Sequence, residues 1–241
     1  MSHTGIKRDL ALGAAAAGAL SLFLASNAPL PWLSAAVTLA AYGLVAGLVG
    51  SGLRGRRTLG WANRLTLLRA IVCCVLAGAL VHPDLFIEQA GFVIALAIAA
   101  LALDGLDGWL ARRLGETTAF GARFDMETDA ALILLLCAGL WSSGLAPAWV
   151  LAIGLMRPAF VIAGLALPWL SRSLPESLLR KFVCTVQVAA LPVALLPTLG
   201  EAPRLTVLAA ALIALVVSFA IDVFWLFRHR QAPRHSLRRT P

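Results

Sequence analysis

Apolar runs of membrane-spanning length recur along the chain, separated by short polar breaks. The first covers residues 10–24 and the second about 32–53, with only Asn27, Pro29 and Pro31 to interrupt them. Further runs lie at about 63–81, 86–103, 130–141, 147–170, 182–199 and 205–227. A helix needs roughly 20 predominantly apolar residues to cross a bilayer core. Backbone polar groups in lipid must also be satisfied within their own segment, so the runs predict helices rather than open strands. Eight spans are expected, an even number that puts both termini on one side. Lys7 and Arg8 before the first run give it the look of a secretory signal, but no polar mature segment follows, so an uncleaved two-helix hairpin is expected. Residues 54–64 break the apolar pattern with four arginines, Trp61 and Asn63, which predicts an interfacial helix on an anionic membrane surface.

Composition agrees with that pattern and narrows the class. Hydrophobic residues make up 60% of the 241 and charged residues 13%, with a mean hydropathy of +0.87, as in polytopic helical membrane proteins rather than soluble domains. The net charge of +8 does not indicate nucleic acid, because the basic residues cluster at the ends of apolar runs. On the eight-span count, Lys7, Arg8, Arg54, Arg112, Arg123, Arg180 and the basic tail share one side, against Arg204 on the other. The positive-inside bias then makes both termini cytoplasmic. Cys73, Cys74, Cys137 and Cys184 lie in or beside apolar runs without C-x2-C spacing and read as small core residues. The four histidines have no liganding partner in the sequence and read as structural or solvated.

One stretch carries chemistry. Between Asp104 and Asp129 the chain reads DGLDGWLARRLGETTAFGARFDMETD, with Asp104, Asp107, Asp125 and Asp129 set among apolar segments. A lone charge at a helix centre costs roughly 2.5–3.5 kcal/mol on insertion scales, so these carboxylates need partners. Asp104 and Asp107 are three apart and Asp125 and Asp129 four apart, so each pair shares a helix face. The polar link over 112–120 lets two helices run antiparallel with those faces opposed. Four facing carboxylates repel unless cations lie between them, and oxygen ligands without nearby His or Cys suit Mg2+, Mn2+ or Ca2+ rather than zinc. Gly108 and Gly121 leave bare patches beside the acids, and Arg112 reaches a ligand phosphate from the same helix. The plainer reading is a helical hairpin whose Asp and Arg residues pair structurally.

At these residues the sequence resembles the CDP-alcohol phosphotransferase family. The motif D-x2-D-G-x2-A-R-x8-G-x3-D-x3-D is met without a gap by Asp104, Asp107, Gly108, Ala111, Arg112, Gly121, Asp125 and Asp129. The resemblance implies an all-α integral membrane enzyme with a six-helix core over 55–228. The hairpin of 1–54 is then an N-terminal addition and 229–241 a basic cytoplasmic tail. It implies transfer of a phosphatidyl group from a CDP-linked lipid donor to a polar alcohol with release of CMP, in a homodimer of the bacterial cytoplasmic membrane with its site on the cytoplasmic face. Two divalent ions, Mg2+ or Mn2+, are implied as cofactors, held by Asp104, Asp107, Asp125 and Asp129, with Asp129 also the general base. Gly108, Ala111, Arg112 and Gly121 would position the diphosphate and nucleotide. The family's N-x2-T-x2-R pattern falls on Asn63, Thr66 and Arg69, which implies that Asn63 and Thr66 line the nucleotide pocket. Without the resemblance, Asn63 is a helix cap and Arg69 snorkels.

Two later features bear on the acceptor. Arg157 is the basic residue far from any span end and so calls for an anionic partner. RKFVCTVQ, residues 180–187, resembles the family's G-K-x-K-T-x-x-Q stretch, matching at Lys181 and Gln187 and departing at Arg180, Val183 and Cys184. Arg157, Arg180 and Lys181 converging beside the carboxylates would bind an acceptor phosphate, with glycerol 3-phosphate the leading candidate and inositol phosphate an alternative. A cation-coupled transporter is the reading from another class, but the acidic constellation occurs once, without the second copy that inverted repeats supply. The topology is open to test in a chain cleared of its four cysteines. A probe should label His3→Cys or Ser236→Cys only after the cytoplasmic face is opened, and Glu201→Cys from outside. Labelling of the two tails from opposite sides would mean an odd number of spans.

Overall fold

The computed structural model describes residues 4–53, 59–114, 118–170 and 177–229, except for the side chains of 4, 106–112, 114, 178, 179 and 181. Those residues form helices α1 (Thr4–Leu24), α2 (Pro31–Gly52), α3 (Trp61–Ala79), a single turn α4 (Leu85–Glu88), α5 (Ala90–Leu114), α6 (Ala119–Ser142), α7 (Leu151–Ala166), α8 (Leu178–Ala194) and α9 (Glu201–Arg228). Each long helix falls on one of the eight apolar runs. Among the described residues, Pro31–Gly52, Trp61–Ala79, Ala148–Ala166 and Glu201–Arg228 are long and apolar enough to cross a membrane, and Ala90–Gly105 and Phe182–Ala194 are shorter apolar helices. The chain is an integral membrane protein.

The helix ends follow from local chemistry. Proline opens α2, where its missing N–H costs nothing. Thr118 caps α6 by accepting from the Gly121 N–H at 2.9 Å. Gly60, at φ 79°, turns the chain so that α3 starts at Trp61. This corrects the interfacial helix expected over 54–64: Leu59 is buried, Gly60 is non-helical and Trp61 to Arg64 form the first turn of α3. Residues 54–58 lie outside the described residues. At the other end of the bundle, Arg204 in the first turn of α9 donates to the carbonyls of Ala194 and Leu199, both at 2.8 Å. It thereby satisfies one carbonyl that the end of α8 leaves open and one in the turn that follows.

Helix α3 is the inner element, 72% buried over its apolar window against 22–28% for the other three candidate spans. Helices α1, α2, α5 and α6 all pack on it, α7 lies on α6, and α8 joins α5 and α6 to α9. Among the described residues few contacts join α5 and α6 directly; both pack on α3, and their Asp104, Asp125 and Asp129 carboxylates come together around its Arg69. Helix α1 is tied to α3 by Asp9 and Arg64 at 2.9 Å, and to α2 by the Tyr42 hydroxyl donating to the Leu10 carbonyl at 2.9 Å. Helices α2 and α3 cross closely where Gly78 meets Ser34 and Thr38. A Cβ there would lie 2.5 Å from the Ser34 carbonyl oxygen.

That crossing yields a stability prediction. Overpacking a tight contact costs typically about 1–3 kcal/mol, so Gly78→Ala should lower the thermal midpoint in detergent. Gly91→Ala, where no atom lies within 4 Å, should leave the midpoint unchanged or raise it slightly. Equal midpoints for the two variants would show that the crossing is not as tight as its geometry.

Candidate active site

Three helices bring their charges to one point. Helix α3 carries Arg69, α5 carries Asp104, and α6 carries Asp125 and Asp129 one turn apart. Arg69 is only 1% exposed. Its Nη1 lies 2.6 Å from Asp125 Oδ1 and 3.1 Å from Asp104 Oδ1, and its Nη2 pairs with Asp129. Arg69 therefore does not snorkel. Burying a guanidinium is tolerated only with well-placed counter-charges, and the carboxylates supply them. In turn, the planar fork of an arginine holds several carboxylates in a fixed arrangement, as a lysine would not.

One oxygen from each of Asp104, Asp125 and Asp129 lies within 4.8 Å of the others. An all-carboxylate donor set of this spacing fits a hard divalent cation such as Mg2+ or Mn2+. Asp107, Gly108, Ala111 and Arg112 continue helix α5, but their side chains lie outside the described residues, so their expected roles are not tested. Gly121 has a visible reason to be glycine: a Cβ there would lie 2.8 Å from Asn63 Oδ1 and 3.0 Å from Thr118 Oγ1. Asn63 and Thr66 are buried on the Arg69 helix. Asn63 Nδ2 donates to the Leu59 carbonyl at 2.7 Å and Thr66 Oγ1 to Ala62 at 3.2 Å. Asn63 is not the cap of α3, which is Gly60.

Beside the carboxylates lies a cavity of about 440 Å³ between α6, α7, α8 and α9. Asp129, Arg157, Arg180, Cys184, Gln187 and Asp222 are among its lining residues. Asp129 and Cys184 also line a smaller space of about 50 Å³ with Arg69 and Asp104, so Asp129 stands at the junction of the two. Arg180 Nη1 pairs with Asp222 at 2.8 Å. Arg157 Nη2 meets Glu127 at 3.4 Å, not one of the motif carboxylates, and this pair is 37% and 68% exposed. Buried Arg157 Nε and Gln187 Nε2 have no hydrogen-bond partner among the described residues. Lys181 lies outside the described side chains.

Three contributors were not read as site residues from the sequence. Asp222 is a carboxylate within an apolar run, a signal that intramembrane position alone could have raised. Glu127 gives no such signal among the other acids of its helix. Cys184, expected as a core residue, is exposed at the cavity wall, while Cys73, Cys74 and Cys137 are buried. His82 Nε2 lies 3.2 Å from the Leu30 carbonyl and His229 Nδ1 lies 2.8 Å from that of Trp225, both structural; His3 and His235 lie outside the described residues.

A family profile described as CDP-alcohol phosphatidyltransferase matches residues 59–224, from the residue before Gly60 to the middle of the last helical turns. The chain belongs to that family. A probable phosphatidylglycerophosphate synthase of Mycobacterium tuberculosis is 36% identical over 162 residues, which cover 65% of this chain and 77% of that one. A probable CMP-forming cardiolipin synthase of Drosophila melanogaster is 28% identical over 154 residues, covering 62% of this chain and 46% of that one. No solved structure matches the chain. The protein is thus a transferase of the membrane, in a family that uses a CDP-linked lipid donor, an alcohol acceptor and a divalent metal.

Arg69 gives the sharpest test of the site's geometry. Breaking a buried ion pair costs roughly 3–5 kcal/mol, and solvent at the partly exposed carboxylates favours the lower end. Arg69→Ala should therefore unfold several degrees below wild type in detergent with EDTA, and Mg2+ or Mn2+ should recover part of the loss. An unchanged midpoint would remove Arg69 from the centre of the carboxylate cluster.

Proposed function

We propose that the protein transfers a phosphatidyl group from CDP-diacylglycerol to glycerol 3-phosphate, releasing CMP, in phospholipid synthesis. The observation that carries this reading is the 440 Å³ cavity, which has Asp129 at its junction with the carboxylate cluster and Arg157 and Arg180 in its walls. The acceptor oxygen must lose a proton as it attacks phosphorus, and a carboxylate within hydrogen-bonding reach takes it. Asp129 is that base. The new bond joins the acceptor oxygen to the phosphorus bearing the diacylglycerol, and the bond from that phosphorus to the CMP oxygen breaks.

Asp104, Asp107, Asp125 and Asp129 would hold the divalent pair, which supplies charge neutralisation for the donor diphosphate and the departing CMP. Gly108, Ala111 and Arg112 continue the acidic helix and would seat the diphosphate, with Asn63, Thr66 and Gly121 beside the nucleotide. An anionic acceptor fits the cavity's cations. Arg180 shares its charge with Asp222, whereas Arg157 has only a long, solvent-facing contact to Glu127 and retains donor capacity. Arg157 would therefore bind the acceptor phosphate, helped by Arg180 and Lys181. The one-sided distribution of basic residues supports a cytoplasmic site and cytoplasmic termini in a bacterial inner membrane, and the family resemblance supports a homodimer.

Purified protein in detergent with CDP-diacylglycerol and Mg2+ provides the test, with CMP release measured over glycerol 3-phosphate, inositol phosphate, serine, inositol and choline. Glycerol 3-phosphate should be preferred, and Arg157→Ala should raise its KM at least about tenfold, the loss of one charge-assisted contact. Preference for a neutral alcohol, or an unchanged KM in Arg157→Ala, would overturn the acceptor reading. EDTA or Asp107→Asn should abolish turnover. Asp129→Asn should lower kcat by about 10²–10⁴-fold while substrate binding largely survives. Equal weakening of Mn2+ binding by the Asp129 and Asp107 variants would make Asp129 a ligand first, and its assignment as the base would fail.

A further inference from the structure

The cavity contains a polar group to which the reaction as described gives no work. Gln187 lies on α8 seven residues after Arg180 and three after Cys184, so all three face the same space. Its side chain is only 4% exposed, and its amide nitrogen is buried with no hydrogen-bond partner among the described residues. A buried polar group in that condition is costly unless something else meets it. Gln187 is also neutral, so it takes no proton and could meet an anion only as an uncharged donor.

The surroundings say what kind of group would meet it. Apolar Ile133, Ile153, Val183 and Leu215 line the same cavity, and none offers a hydrogen bond. The charged functions are divided between Asp129 on one wall and Arg157 and the Arg180–Asp222 pair on others, with the Ser218 hydroxyl a further polar group of the lining. Arg180 and Gln187 are separated along α8 by about 10 Å of helix rise. A small acceptor held by its phosphate at the arginines and by its attacking oxygen at Asp129 would therefore bring its remaining polar group toward the Gln187 end. A side-chain amide donates through Nε2 and accepts through Oε1, the complement of a hydroxyl group.

We propose that Gln187 is a specificity-determining residue that reads a second, non-reacting hydroxyl on the acceptor, adjacent to the hydroxyl that attacks. The proposal rests on the reading of this cavity as the acceptor site. It assigns the enzyme to vicinal polyol phosphates over simple hydroxyalkyl phosphates. A site built to hydrogen-bond a hydroxyl rejects the analogue that lacks it, because the site's own buried group is then left unpaired.

The test compares glycerol 3-phosphate with 3-hydroxypropyl phosphate, which keeps the phosphate and a primary alcohol and lacks the middle hydroxyl. The full-length enzyme in detergent, with CDP-diacylglycerol and Mg2+, should favour glycerol 3-phosphate by about 10–100-fold in kcat/KM, the range expected for one buried hydrogen bond. Gln187→Met, of similar length without a donor, and Gln187→Leu should bring the ratio close to one by losing activity on glycerol 3-phosphate alone. The ratio is internal to each preparation, so partial misfolding of a variant leaves it intact. A wild-type ratio near one, or a ratio retained in Gln187→Met, would overturn the role of Gln187 while the acceptor reading stands. Wild-type turnover of a neutral alcohol but of neither phosphate would overturn both.

Discussion

A single buried guanidinium sets the geometry of the whole site. Arg69 reaches three carboxylates on two other helices, and each pairing restricts how α3, α5 and α6 can lie. If α3 turned by one residue, its charge would move about 100° around the helix and face apolar neighbours. The cost of an unpaired buried charge is far larger than the differences between alternative packings of apolar helices. Apolar faces tolerate many arrangements, and so the specific one comes from the polar contacts. This explains why, among the described residues, the most buried of the candidate spans carries the most buried cation.

The consequence for chemistry is that the carboxylates are separated yet share a centre. Asp104 and Asp125 face Arg69, while Asp129 faces both Arg69 and the larger cavity. A carboxylate at such a junction can interact with a cation on one side and a bound hydroxyl on the other, which is the arrangement that general-base transfer requires. The arginines of the cavity differ in availability. Arg180 is coupled to Asp222 across α8 and α9, whereas Arg157 is held only loosely by Glu127. An anion entering the cavity would meet Arg157 without first displacing a close counter-ion.

The run pattern alone located every long helix, because lipid and a helical backbone leave few other ways to satisfy polar groups. The acidic motif pointed to the candidate site for a similar reason: carboxylates inside apolar runs are too costly to be incidental. The sequence was less informative about which elements lie between others. Spacing placed Asp104 and Asp129 on helix faces but could not show that Arg69 of α3 would pair with both, because contacts between distant segments have no local signature. The same limit hid the exposure of Cys184, which is one turn from Gln187 in an otherwise apolar stretch, and the coupling of Arg180 to Asp222 across 42 residues. The break in the helix expected over 54–64 had a local cause, the turn at Gly60, since glycine admits a positive φ that few other residues adopt.

The N-terminal hairpin precedes the segment that matches the family, yet it packs directly on the helix that carries the central cation. Arg64 and Arg69 are five residues apart on α3, which places them about 140° apart around its axis. Arg64 turns outward to Asp9 of α1 and stacks over Trp61 at 4.9 Å, while Arg69 turns inward to the carboxylates. The two ion pairs oppose any rotation of α3 from opposite sides. The close crossing at Gly78 resists sliding of α3 along α2 by the same steric logic. At the other end of the hairpin, Gly52 admits the ring of Phe120, from the first turn of the helix that carries Asp125 and Asp129. The hairpin therefore contacts two of the three helices that form the site and shields the outer face of α3 from lipid.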